Sequence, residues 1–244
     1  MTLSISTISM GIVALAGLIG GILLLQSYHQ NRNDILRYLI VFFFGMGIMG
    51  TFFTAGTLAA SVGSVWATYF FVAGHYTLFS TLAIVIQLPM NLIAPKATKS
   101  VFYAMAAFAV VCAVVVTLNP PLNISFHNNL VFWNVPVFTS NFIALIDVIF
   151  SLVFIITFIY FGFKTKEGAY KARSFLFALG MLIFLIGGPY HNVARTAAQF
   201  FIADVSTAVG LAIVFFGVYV PRLFGSKNAP ASPDEAQNTP APQV

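Results

Sequence analysis

Apolar stretches of about 18 or more residues recur along nearly the whole chain. At about 1.5 Å per residue each is long enough, as a helix, to cross a hydrocarbon core of about 30 Å. No other feature restricts the fold so tightly, because backbone N–H and C=O groups inside a bilayer must be bonded internally, in helices or in a closed barrel. A barrel would show alternating strands of about 10 residues, and no such alternation is visible. Composition agrees: hydrophobic residues make up 59% of the chain, charged ones 7%, and Phe occurs 27 times, far from the balance of a soluble domain. The expected fold class is all-α, a polytopic protein of the cell membrane with lipid as its surroundings.

Hydropathy places about seven spans, at Ile8 to Tyr28, Ile35 to Leu58, Ser64 to Leu88, Ser100 to Leu118, Asn141 to Phe163, Ser174 to Tyr190 and Ala197 to Val220. The sixth is the shortest and carries "GGPYHN"; a re-entrant sixth segment would reduce the count to six. Lys and Arg accumulate in cytoplasmic loops. Here Arg32, Arg37, Lys96, Lys99, Lys164, Lys166, Lys171, Arg173, Arg222 and Lys227 fall on one side of a seven-span chain, and Arg195 alone on the other. The N-terminus is therefore expected outside and the C-terminus in the cytoplasm. An odd number of spans is favoured, since six would put two basic clusters on the wrong face. That asymmetry also accounts for the net charge of +5 without a nucleic-acid partner. No Lys or Arg precedes Arg32, so the first span reads as a retained helix and not as a signal peptide.

Two units are expected: a seven-helix transmembrane domain over residues 1–224 and a disordered cytoplasmic tail over 225–244, rich in Pro, Ala and polar residues. The longest outer connection, "NPPLNISFHNNLVFWNVPVFTS", reads as an ordered turn or cap over the bundle. Trp66 and Trp133 fall near the outer interface, where indoles prefer to lie. The single cysteine, Cys112, excludes an internal disulfide and a CxxC site, and packing is its expected role. Gly17 and Gly21 form a small-xxx-small pair suited to close helix approach within the bundle. The Phe-rich "VFFF" at residues 41 to 44 reads as lipid contact and core filling.

Charged groups inside a bilayer cost at least about 2.5–3.5 kcal/mol at a helix centre on the insertion scale, so each asks for a partner or a purpose. The candidates are His75, Asp147 and Asp204, with His191 and Arg195 in the connection before the last span. All five fall in the outer half, Asp147 and Asp204 roughly 10 Å deep and His75 roughly 15 Å. Thr51, Thr54 and Thr57 are placed to add hydroxyls to the same region. One reading is an outward-facing polar pocket, with the carboxylates as proton or cation acceptors and His75 titrating near neutral pH. The other pairs Asp204 with Arg195 and leaves His75 neutral between helices. No HxxxH or ExxH spacing enforces a metal site. "VAGHYTLF" is a faint likeness of haem-ligating helices without their further histidines. No nucleophilic triad or phosphate loop can be assembled, so neither an enzyme nor a cofactor is expected.

In the last span, "ADVSTAVGLAIVFF" aligns Asp204, Val205, Ser206, Val209 and Gly210 with the "DVSxKVG" of the retinal-bearing helix of bacteriorhodopsin-type proteins, and "FLIG" at residues 184 to 187 is a fainter echo of the sixth helix. With seven spans, short loops and an outside N-terminus, the chain resembles a microbial rhodopsin. The resemblance implies a seven-helix bundle and a counterion role for Asp204. At the lysine position stands Ala208, and no lysine lies inside a span, so a retinal Schiff base cannot form. The implied relative is retinal-free. Together these readings lead to a receptor-like or sensor-like membrane protein with an outward-facing polar pocket, acting through a cytoplasmic or membrane signalling partner. The alternatives are a small transporter or proton/cation pathway, for which Gln87 is the inner-half candidate, and an accessory subunit of a membrane complex.

Overall fold

A computed structural model describes residues 3–30, 32–194 and 196–224, apart from the side chains of Pro189, His191 to Val193 and Pro221 to Phe224. The expected tail at 225–244, Arg195 and the His191 side chain lie outside what is described.

Among the described residues there are eight α-helices and one short hairpin: α1 (Ile5–Gln30), α2 (Asp34–Ser61), α3 (Trp66–Val85), α4 (Gln87–Ile93), α5 (Thr98–Leu118), β1 (Ser125–His127), β2 (Leu130–Phe132), α6 (Val137–Lys164), α7 (Gly168–Val193) and α8 (Ala197–Phe224). Because α3 and α4 form one apolar column from Trp66 to Ile93, seven helices are long and apolar enough to cross a membrane. The chain is a multi-pass helical membrane protein.

The break between α3 and α4 has a local cause. Pro89 offers no N–H to the carbonyl four residues earlier, and its ring crowds that carbonyl, which belongs to Val85, the last residue of α3. Pro95 then ends the column and opens a single 3-10 turn. At the sixth span the expectation of an interruption is corrected: α7 runs unbroken through "GGPYHN" to Val193. Pro189 falls in its last two turns, where few intrahelical bonds remain to be lost. Asn33 caps α2, its side chain accepting the Ile35 amide at 2.8 Å.

The helices close into a ring. Contacts run from α1 to α2, α2 to α3, α3 to α5, α5 to α6, α6 to α7, α7 to α8 and back from α8 to α1. The tightest seams are built on glycine. A Cβ on Gly50 would stand 2.8 Å from the Ala14 backbone, and one on Gly210 would stand 2.7 Å from the Gly180 carbonyl. Gly17 meets Gly47 and Phe43, and Gly21 meets Phe44, so the Gly17/Gly21 pair is used for packing inside the bundle. Within "VFFF", Phe42 and Phe43 are core, at 2% and 1% exposure.

The hairpin caps one end. Its turn residues Asn128 and Asn129 have φ of 52° and 62°, the left-handed pair that a two-residue type I′ turn requires and that asparagine tolerates. Ile5 N–H donates to the Asn129 carbonyl at 3.0 Å, and Val131 N–H donates to Ser6 Oγ at 3.1 Å. The cap is thus pinned to the start of α1. The expected ordered cap is present, in the form of a strand pair.

Candidate functional site

The start of α8, the start of α1, the middle of α3 and the first half of α6 all lie at the hairpin end, because alternate spans run in the same direction. Counting from each helix start, His75 lies about 14 Å along α3, Asp147 about 15 Å along α6 and Asp204 about 10 Å along α8. Asp147 sits deeper than the sequence suggested, since α6 begins at Val137 and not at Asn141.

These three side chains line one cavity, together with Phe53, Phe71, Trp133 and Phe184. It offers about 90 Å³ to the centres of water-sized occupants, where one water needs about 10–15 Å³. It therefore has room for several waters or one small molecule. Met10, Val13, Met49, Leu78 and Ile143 complete most of the apolar wall.

The two carboxylates are treated differently by the fold. Asp204, 3% exposed, accepts the hydroxyl of Ser9 from α1, the neighbouring helix in the ring. Ser9 is held in place through a further contact from its hydroxyl to the Ser6 carbonyl at 3.2 Å. Asp147 is similarly buried, at 6% exposure, but among the described residues its Oδ1 has no hydrogen-bond partner. A buried polar atom without a partner normally costs about 1–3 kcal/mol. The position is occupied by a group that folding alone does not satisfy.

His75 is set by its own helix. Its Nδ1–H donates to the Phe71 carbonyl at 2.9 Å, which in a neutral ring makes Nε2 the acceptor nitrogen. Its ring packs against Phe71 at 4.2 Å, Phe53 at 5.1 Å and Phe79 at 5.7 Å between centroids. Trp133 continues this wall, 5.1 Å from Phe71 and 6.3 Å from Phe53. The result is an aromatic wall from α2, α3 and the segment after the hairpin, in a cavity that carboxylates from α6 and α8 also line.

Behind one lining residue, Phe184, the wall continues into a series of phenylalanines. Phe184, a lining residue, contacts Phe42 at 5.8 Å. Phe42 stacks on Phe150 at 6.3 Å, and the series continues through Phe154, Phe158 and Phe177 at 5.9, 4.6 and 5.0 Å. Those five rings are at most 3% exposed.

Several expectations are corrected. Thr51, Thr54 and Thr57 are absent from the cavity wall, and each hydroxyl bonds back to a carbonyl of α2 at 2.8, 2.7 and 2.9 Å. Trp66 is 61% exposed, as an interfacial indole should be, but Trp133 is 7% exposed and faces the cavity. Gln87 folds onto the Ile84 carbonyl at 3.1 Å and extends no polar chain inward. Sequence reasoning passed over Ser9, Phe53, Phe71 and Trp133. The signal for Trp133 was its Pro- and Asn-rich loop; for Ser9 there was none, since serine is cheap inside a helix.

Among the described residues, no three His, Cys, Asp or Glu side chains gather closely enough to hold a metal ion. Fold and cavity thus define a class: a seven-helix membrane bundle with a partly aromatic, acid-bearing cavity near one face. No family model, curated protein or solved structure matches this chain.

Proposed function

We propose that the chain is a receptor-like or sensor-like membrane protein that admits a small ligand to this cavity from the hairpin face, with that face outside and the Lys- and Arg-rich ends of the helices in the cytoplasm. The observation that carries the reading is Asp147, a buried residue of the cavity wall whose Oδ1 has no hydrogen-bond partner among the described residues. Ionisable groups inside a membrane mark function by default, and an unsatisfied one marks a place completed by an occupant. The phenylalanine series beneath the cavity supports a pocket with one mouth. The basic ends carry Arg37 over Tyr38, Lys164 over Tyr160 and Arg173 over Tyr170, at 5.2, 4.5 and 5.2 Å. Such aromatic and basic anchors suit a cytoplasmic interface able to meet a signalling partner.

A transport pathway is the second reading, favoured by one observation. Ser151 Oγ and Thr157 Oγ1, further along α6 from Asp147, are also buried without partners, as sites for internal water would be.

One experiment separates these. Leu78→Cys, on the cavity wall, is made in a Cys112→Ala background and treated in sealed vesicles with a membrane-impermeant thiol reagent from each side. Modification from the hairpin side alone supports the receptor-like pocket. Modification from both sides supports the pathway, and none from either side overturns both.

A further inference from the structure

The proposed cavity also specifies the chemistry of its occupant. We infer that it is a small organic cation, an alkylammonium of about the size of choline, held between the carboxylate of Asp147 and the faces of Phe71, Phe53 and Trp133. The inference rests on the pocket reading above.

Three independent features converge on it. The first is charge. Among the described lining residues the acidic groups are Asp147 and Asp204, the only basic one is the His75 imidazole, and no Lys or Arg is present. Asp204 already receives the Ser9 hydroxyl. Asp147, 94% buried by its 6% exposure, borders the space and has an Oδ1 without a hydrogen-bond partner among the described residues. A cation placed there supplies the charge that the fold withholds, in a setting where water cannot screen it.

The second is the aromatic part of the wall. Aromatic faces carry negative quadrupole potential and attract cations within about 6 Å of the ring centroid, most strongly when both are desolvated. Trp133, the best ring for this, reaches the cavity only because residue 56 is glycine: a Cβ there would stand 2.8 Å from the indole. Phe71 and Phe53 flank it within 5.1 and 6.3 Å.

The third is size. His75, Asp147 and Asp204 border the same cavity but do not gather to metal-holding distance. A bare ion would not be held by all three, whereas a polyatomic cation fills the space between acid and rings. An anion would face two carboxylates, and a neutral apolar ligand would leave Asp147 unsatisfied.

The test uses the full chain, purified in detergent or nanodiscs, with Trp66→Phe so that Trp133 is the sole indole. Choline and tetramethylammonium are titrated against 3,3-dimethylbutan-1-ol, the neutral carbon isostere of choline, while Trp133 emission is followed. Saturable change with the cations, at least tenfold weaker with the isostere, and at least tenfold weaker for choline on Asp147→Asn, supports the inference. Equal response to cation and isostere overturns it while leaving a ligand pocket. No response to either, with Leu78→Cys still modified from the hairpin side, overturns it on the same terms. A Leu78→Cys that is never modified removes the pocket itself.

Discussion

Replacing Asp147 by leucine should stabilise the protein, and replacing Asp204 by leucine should destabilise it. The two residues have the same chemistry and nearly the same burial, 6% and 3% exposed, so the opposite signs come from their partners alone. At Asp147 the substitution removes an unsatisfied oxygen and puts a larger apolar side chain at the edge of the cavity, which has room for it. Relief of such a group amounts to about 1–3 kcal/mol. At about 2–4 °C per kcal/mol for a chain of this size, the thermal midpoint rises by roughly 2–12 °C. At Asp204 the substitution discards the bond from Ser9, of about 1.5–3 kcal/mol if charge-assisted, and leaves the Ser9 hydroxyl only the Ser6 carbonyl at 3.2 Å, so the midpoint falls by a comparable amount. The assay is built into the chain: Cys112 is buried at 0% exposure, so its reaction with a fluorogenic maleimide during heating reports unfolding. A fall in both variants would refute the reasoning, because Asp147 would then be a structural residue with a partner of its own.

Further predictions follow from the seams and the cap. Gly210→Leu puts side-chain atoms where the Gly180 carbonyl and Phe184 backbone stand at 2.7 and 2.8 Å from a Cβ, and should reduce the folded yield severely; if the glycine seam served an oligomer instead, the variant would stay folded and change only its mass by light scattering. Asn128→Val forces a β-branched residue into φ of 52° and should lower the midpoint by the equivalent of about 1–2 kcal/mol, while Asn128→Gly holds or raises it; equal midpoints would mean the turn does not bear on stability. A cysteine at Asn128 should label with impermeant reagent from outside intact cells and one at Lys166 only after lysis, in a Cys112→Ala background. The reverse pattern would invert the proposed orientation.

What could be read from the sequence follows from what a bilayer penalises. Apolar runs and the few buried charges stand out because lipid makes polarity expensive, so seven spans and the trio His75, Asp147 and Asp204 were visible before any packing. Where the bilayer is indifferent, the sequence was silent or misleading. A serine or threonine hydroxyl bonds as readily to its own helix as to a neighbour. Nothing in the residue pattern distinguished Ser9, which reaches α8, from Thr51, Thr54 and Thr57, which do not leave α2. Trp133 was misplaced because depth was counted along the chain, whereas the hairpin folds back over the bundle and carries the indole inward. The phenylalanine series required knowing which faces meet: with 27 Phe in the chain, composition alone cannot separate core from lipid contact.

The likeness to retinal-bearing helices takes on a specific physical meaning at Asp204. In that pattern a counterion aspartate faces a lysine-borne cation one turn along the same helix, and here the residue one turn along is Ala208, packed against the apolar core. The carboxylate is not left to the cavity for want of that cation, because Ser9 of α1 donates to it from across the helix seam. A hydroxyl needs no chromophore to keep it in place, so the bundle can close around Asp204 by itself. The unanswered polar atom lies on α6 instead, at Asp147, where no described group meets its Oδ1. On the proposed reading, the cavity that both residues line is a place for a diffusible cation. Asp204 then belongs to the architecture and Asp147 to the ligand, and for that reason the two leucine substitutions should move stability in opposite directions.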